Sequence, residues 1–131
     1  MQAQALTMQL PATPASSYPI HIAAGLLAKP QHWLPPAWQD KTVVIITDDV
    51  VKQQYGDTLA LTLNQLGYHV HLFDFVAGES AKTNQTKIAL ETQMLQHHCA
   101  RDTVILALGG GVVGDLAGFI AATFMRGIPI I

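Results

Sequence analysis

Thr103-Val-Ile-Leu-Ala-Leu-Gly-Gly-Gly-Val-Val-Gly-Asp-Leu-Ala-Gly-Phe-Ile-Ala-Ala-Thr123 decides the fold. Its first six residues form a largely apolar run with no polar alternation, the pattern of a strand covered on both faces in a parallel sheet. Three consecutive glycines break it. Small and apolar residues at helical spacing then predict a helix around Leu116–Thr123, and Ile128 opens a further strand. From Thr103 to Ile131 only Asp115 and Arg126 carry charge. The 22 residues from Val104 to Met125 are long enough to cross a bilayer. Gly109, Gly110, Gly111, Gly114 and Gly118 weaken a continuous helix, however, and Asp115 would sit near mid-span, so strand, glycine turn and buried helix is the expectation.

Two similar units precede this one. Thr42-Val-Val-Ile-Ile-Thr47 predicts a strand with Asp48 at its carboxyl end, and Val51, Tyr55, Leu59, Leu63 and Leu66 recur at helical spacing before Gly67 stops the helix. Tyr68–Val76 predicts a second strand. The loop Ala77-Gly-Glu-Ser-Ala-Lys82 follows it, then a helix from about Asn84, capped by Thr83, with Ile88, Met94 and Leu95 as core contacts. Strand and helix alternating in this way predict a parallel α/β sheet with right-handed crossovers. Upstream, Ala5–Leu10 and Tyr18–Ile22 around a Pro/Ser-rich turn predict a β-hairpin. Lys29–Asp40, with Pro30, Pro35 and Pro36, predicts an irregular connector.

The chain has 131 residues, a net charge of −2 and 50% hydrophobic content, which suits one domain, residues 1–131, with a core of its own. No basic cluster interleaves with aromatics, which argues against nucleic acid as a partner. The single Cys99 forms no internal disulfide, and Met1–Thr7 lacks the basic and apolar regions of a signal peptide, so a cytoplasmic setting is expected.

Ligands of such sheets bind at the carboxyl ends of the strands. There the topology is expected to gather Asp48, Glu79, Lys82, the glycine run and Asp115. Gly109, Gly111 and Gly114 satisfy G-x-G-x-x-G, whose bare backbone admits a pyrophosphate to a helix N-terminus. The alternative is a turn needed only for packing. Asp115 suits a helix start on dipole grounds alone. Glu79 and Lys82 suit ribose and phosphate, or plain solvation; Asp48 suits a ribose hydroxyl, or a helix cap. His69-Val-His71 could chelate a metal, but with no third ligand evident, metal binding there is disfavoured, as it is at His97-His98. Cys99 reads as a small buried residue rather than a nucleophile.

Taken together, Ile-Thr-Asp48-Asp-Val, Gly78-Glu79-Ser-Ala-Lys82-Thr83 and Leu108-Gly-Gly-Gly-Val-Val-Gly-Asp-Leu-Ala-Gly-Phe-Ile-Ala-Ala-Thr-Phe-Met-Arg-Gly-Ile128 closely resemble the N-terminal half of the 3-dehydroquinate synthase family. The resemblance implies a Rossmann-like parallel sheet with flanking helices and an N-terminal hairpin. It implies NAD as cofactor, contacted at Asp48, Glu79, Lys82, Gly110, Gly111, Val112, Gly114 and Asp115, with Arg126 reaching the substrate phosphate of the neighbouring subunit of a homodimer. The implied reaction turns 3-deoxy-D-arabino-heptulosonate 7-phosphate into 3-dehydroquinate and phosphate in the shikimate pathway, with transient oxidation of a ring hydroxyl. The family's divalent metal, zinc or cobalt, and its catalytic lysines belong to a helical C-terminal domain beyond the matched region, so His69, His71, His97 and His98 are not their counterparts. The 131 residues alone are therefore expected to lack turnover. A related sugar-phosphate cyclase, an iron-type polyol dehydrogenase and a nucleotide-binding module without chemistry are the alternatives, and Met125-Arg126-Gly127 favours a cyclase over the dehydrogenase.

Overall fold

In the computed structural model, which describes residues 12–13 and 17–131, the central element is β1, Thr42–Asp48. Val43, Val44, Ile45 and Ile46 are all fully buried, as β-branched side chains at every position of a doubly covered strand should be. β2 (His69–Phe75) and β3 (Thr103–Leu108) flank it in parallel, giving the order β2-β1-β3. Pairing runs from Thr42↔His69 to Asp48↔Phe75 on one side and from Thr42↔Thr103 to Thr47↔Leu108 on the other. The strand expected at Ile128 begins beside β3 as a parallel bridge, Ile105↔Ile130, extended by a 2.8 Å hydrogen bond from the Ala107 N–H to the Ile131 carbonyl.

The chain steps one way across the sheet from β1 to β2 and the other way from β2 to β3. Crossovers of one hand then place their helices on opposite faces. Accordingly α2 (Asp57–Gln65) buries Leu59 and Leu63 with Val43, Ile45, Val104 and Leu106. On the other face α3 (Asn84–Gln96) and α4 (Gly111–Thr123) bury Leu90, Met94, Val113, Ala117 and Ile120 with Val44, Ile46 and Ile105. No helix among the described residues is long and apolar enough to cross a membrane.

Four departures from the sequence expectations have physical causes. The first helix is not continuous: α1 (Asp49–Val51) passes through a π-type turn, Lys52–Gly56, into α2. The extra residue rotates Tyr55 off the buried face, leaving it 51% exposed, and brings Gly56 against Leu72 instead. On α3 only Met94 of the three expected core contacts is buried. Ile88 and Leu95 lie roughly 100–120° around the helix from it, and Leu90 takes the core position one turn before Met94. The flank is closed by the Lys87–Glu91 ion pair at 2.6 Å, with the Lys87 Nζ 4.9 Å from the centre of the Phe119 ring. Third, α4 begins at Gly111 rather than near Leu116, so the glycine turn shrinks to Gly109-Gly110.

The fourth departure is the hairpin. Its first half, Ala5–Leu10, lies outside the described residues, and its second half, Tyr18–Ile22, forms no strand. Pro19 lacks a ladder donor, and no edge of the described sheet pairs with the segment, so Tyr18, Ile20 and Ile22 stay 81%, 76% and 92% exposed. The connector, by contrast, is ordered as single 3-10 turns. Proline starts two of them, Pro30–His32 and Pro36–Trp38, and Leu34 and Trp38 are buried over the α2 face of the sheet.

Candidate functional site

Three strand ends point to the same edge of a parallel sheet, so the chain itself assembles the site. At the end of β3 the first helical bond of α4 is the Gly114 N–H to the Gly110 carbonyl, 3.0 Å. The amides of the cap residue Gly110 and of Gly111, Val112 and Val113 are left without helical partners, at the positive end of a 13-residue dipole, and Gly110 supplies no side-chain cap. Amides so placed can receive an anion.

The glycines divide into two kinds. A methyl group on Gly109 would lie 2.5 Å from Val113 Cγ2, so this glycine lets the turn press against its own helix. At Gly110, Gly111 and Gly114 an added Cβ would meet nothing within 4 Å, and none of the three has a positive φ. Neither packing nor backbone conformation requires glycine there. Their missing side chains leave room for something outside the chain.

Charge gathers in the first turns of α4. Lys82, just beyond the 3-10 turn Glu79–Ala81, places its Nζ 2.5 Å from Asp115 Oδ2 and 3.7 Å from Glu79 Oε1. The hydrogen bond to Asp115 holds the lysine above its ordinary pKa, and the charges of Asp115 and Glu79 add to it. All three side chains remain solvent-accessible. The structure thus joins the second loop to the start of α4. Asp48 makes no ion pair with them: its Oδ1 accepts from the Val51 N–H at 2.8 Å as the cap of α1. Arg126 lies at the far end of α4, exposed, with no carboxylate in salt-bridge range among the described residues. It and Met125 both adopt left-handed backbone, φ 67° and 50°, a conformation costing non-glycine residues about 1–2 kcal/mol each.

Sequence reasoning passed over two side chains of this edge. Thr47 Oγ1 donates to the Leu108 carbonyl at 2.7 Å, and Asp49 Oδ1 accepts from the Ala77 N–H at 2.8 Å. The only signal was a polar Thr-Asp-Asp run closing an apolar strand.

The histidines stand apart from this edge. The His71 ring lies 4.9 Å from that of His69 and 4.8 Å from that of His97, bringing a third imidazole that the sequence did not reveal. Even so, no group of three His, Cys, Asp or Glu side chains among the described residues is arranged to hold a metal. His71 Nε2 is buried without a partner. That burial pushes its pKa down, and the neighbouring imidazoles push the same way. Cys99 is buried, which raises its thiol pKa and suits the packing role. An apolar cleft of about 670 Å³ between Tyr18–His21, the tryptophans and β3 contains none of the site residues.

Residues 72–131 match the sequence profile described as 3-dehydroquinate synthase N-terminal. The chain is 44% identical over 115 residues to the 3-dehydroquinate synthase of Streptococcus agalactiae, and 42% over 118 residues to that of Streptococcus pneumoniae. The resemblance to the 3-dehydroquinate synthase family is established. These matches take in 88% and 90% of the chain but 32% and 33% of the relatives, so it spans about a third of their length. Among solved structures, a 2-deoxy-scyllo-inosose synthase complexed with carbaglucose-6-phosphate, NAD+ and Co2+ is similar at TM-score 0.71 and 28% identity, over 81% of this chain and 28% of that one. The 2-epi-5-epi-valiolone synthase of Streptomyces hygroscopicus, with NAD+ and Zn2+ bound, has the same score and identity over 94% and 34%. The likeness to both agrees with the parallel α/β sheet with flanking helices expected here.

Two outcomes follow from this geometry. Gly109→Ala should lose about 1–3 kcal/mol to overpacking against Val113, whereas Gly111→Ala should be neutral or gain up to about 1 kcal/mol from helix propensity; urea denaturation measures both. His71 is held neutral in the fold, so the stability it contributes is present above the unfolded pKa near 6.5 and is lost as pH falls from there toward its lower folded value. The melting temperature should fall between about pH 7 and pH 5, and His71→Phe should flatten that fall.

Proposed function

We propose that this chain is the nucleotide-binding part of a 3-dehydroquinate synthase, which converts 3-deoxy-D-arabino-heptulosonate 7-phosphate into 3-dehydroquinate and phosphate. The observation that carries the reading is the open space over Gly110, Gly111 and Gly114, next to the unpartnered amides that start α4. The identity of 42–44% to 3-dehydroquinate synthases, against 28% to the two other cyclases, favours that enzyme within the superfamily.

A cradle of bare amides fits the pyrophosphate of NAD, the nucleotide bound in both structural relatives. In this reading Gly110, Gly111 and Val112 approach the pyrophosphate through their backbone, Gly114 leaves room beside it, and Lys82 contributes positive charge to the phosphates. Asp48, Glu79 and Asp115 accept hydrogen bonds from ribose hydroxyls, since carboxylates are acceptors only. Lys82 would exchange part of its pairing with Asp115 for the phosphate charge. Bound NAD supplies a reversible hydride acceptor, so that a ring hydroxyl can be oxidised transiently with no net consumption of cofactor.

Arg126 belongs to a different part of the reaction. Exposed, left-handed and far along α4, it is assigned to the substrate phosphate of the neighbouring subunit in a cytoplasmic homodimer. A divalent metal, zinc or cobalt, would be held by residues of a second, helical domain, outside the third of the enzyme matched here. Residues 1–131 taken by themselves would then bind nucleotide but not turn over.

Calorimetric titration of the chain with NAD and with ADP-ribose should give saturable binding. Gly111→Ala and Lys82→Ala should each weaken it by about tenfold or more, through steric entry into the cradle and loss of a charge-assisted contact respectively. A folded chain that binds neither nucleotide, or two variants that bind as wild type does, overturns the assignment.

A further inference from the structure

Among the described residues only two polar side chains are fully buried, Thr47 and Thr103. Thr103 Oγ1 accepts from the Ala100 N–H at 3.0 Å and ties the turn that leads into β3. Thr47 ends the run Val43-Val-Ile-Ile-Thr47, where another valine would satisfy burial and strand propensity equally well. What valine lacks is the hydroxyl, and that hydroxyl donates to the Leu108 carbonyl at 2.7 Å.

The position of this bond is informative. Backbone pairing of β1 with β3 stops at Thr47↔Leu108, whereas pairing with β2 continues to Asp48↔Phe75. In the order β2-β1-β3 the chain direction across the sheet reverses between β1 and β3, and the ligand crevice of such sheets opens there. Beyond Leu108 no ladder holds the chain. The Thr47 hydroxyl fixes the plane of the last β3 peptide, from which Gly109 departs, and Gly109 pressed on Val113 fixes the other side of the turn. On the opposite side of β1, Asp49 Oδ1 accepts from the Ala77 N–H, 28 residues away, at the start of the loop that carries Glu79 and Lys82. A carboxylate at a helix start usually serves its own helix; this one holds a neighbouring loop.

We propose that Thr47 and Asp49 are positioning residues of the nucleotide site: Thr47 sets the aim of the Gly110–Val112 amides, and Asp49 sets the place of Glu79 and Lys82. Neither touches the ligand. The inference rests on the nucleotide reading above, but the amide geometry it concerns is measurable without nucleotide.

The test is an amide NMR spectrum of the chain with hydrogen exchange, followed by titration with ADP-ribose. Thr47→Val should shift the Gly110, Gly111 and Val112 amide signals, speed their exchange at least about fivefold and weaken ADP-ribose binding about tenfold. Thr47→Ser, which keeps the hydroxyl, should restore both. Asp49→Ala should displace the signals of residues 79–82, and Asp49→Asn, which keeps the acceptor oxygen, should not. A Thr47→Val protein of lowered melting temperature but unchanged amides and affinity makes the hydroxyl merely structural and overturns the proposal. If Thr47→Val does not fold, Asp49→Ala decides at its half-buried position: unchanged 79–82 signals overturn it. Wild type that ignores ADP-ribose refutes the nucleotide reading alone, and the amide shifts still judge the anchoring.

Discussion

The burial of β1 on both faces, with a parallel partner on each side, is the constraint on which the other features depend. Four consecutive apolar side chains at zero exposure, each contributing about 1.5–3 kcal/mol of burial, leave the strand no alternative face and fix its register against both neighbours. Once β2 and β3 run parallel to it, their carboxyl ends must share one edge, and crossovers of one hand must place helices on both sides. The loops after the three strands are thereby neighbours, however far apart they lie in sequence. Chemistry at that edge is a consequence of the ladder rather than of local motifs.

At the edge, the absence of atoms carries as much information as their presence. Gly109 is explained within the chain, by Val113. Gly110, Gly111 and Gly114 are not, because a methyl group at any of them would enter open space. Glycine in a helix costs about 0.5–1 kcal/mol relative to alanine, so two such residues in the first turns of α4 are a standing cost that a bound phosphate group would offset. In the last 29 residues β3 and one face of α4, with Val113, Leu116, Ala117, Ile120 and Ala121, are core, and the charges are Asp115, paired with Lys82, and Arg126.

Much of this was legible in the sequence because the signals are periodic. Continuous apolar runs marked β1 and β3, Thr83 marked the start of α3, and Gly67 marked the end of α2, where it takes φ 88°. Topology put the second and third loops at one edge, the glycine motif and the family resemblance named the residues there, and Lys82 does meet Asp115. What the sequence did not reveal is non-periodic or non-local. A π-type turn changes which residue of an i, i+4 series faces the core, and nothing in Lys52–Gly56 announces it. Trp38 and Leu34, in a proline-rich connector, become core only when the sheet supplies a surface. The apolar alternation of Tyr18, Ile20 and Ile22 looked like a strand, yet Pro19 has no N–H to give a ladder and no edge of the described sheet pairs with the segment. The ties from Thr47 to Leu108 and from Asp49 to Ala77 span 61 and 28 residues, beyond any local pattern.

Whether the open space above the start of α4 is a dinucleotide site is measured directly by a crystal structure of the chain grown with NAD. Pyrophosphate density is expected within hydrogen-bonding distance of the Gly110, Gly111 and Val112 amides, with Lys82 drawn from Asp115 toward the phosphates. Nucleotide seated instead in the apolar cleft beside Trp33 and Trp38, or a glycine cradle that stays empty at saturating NAD, would contradict that assignment.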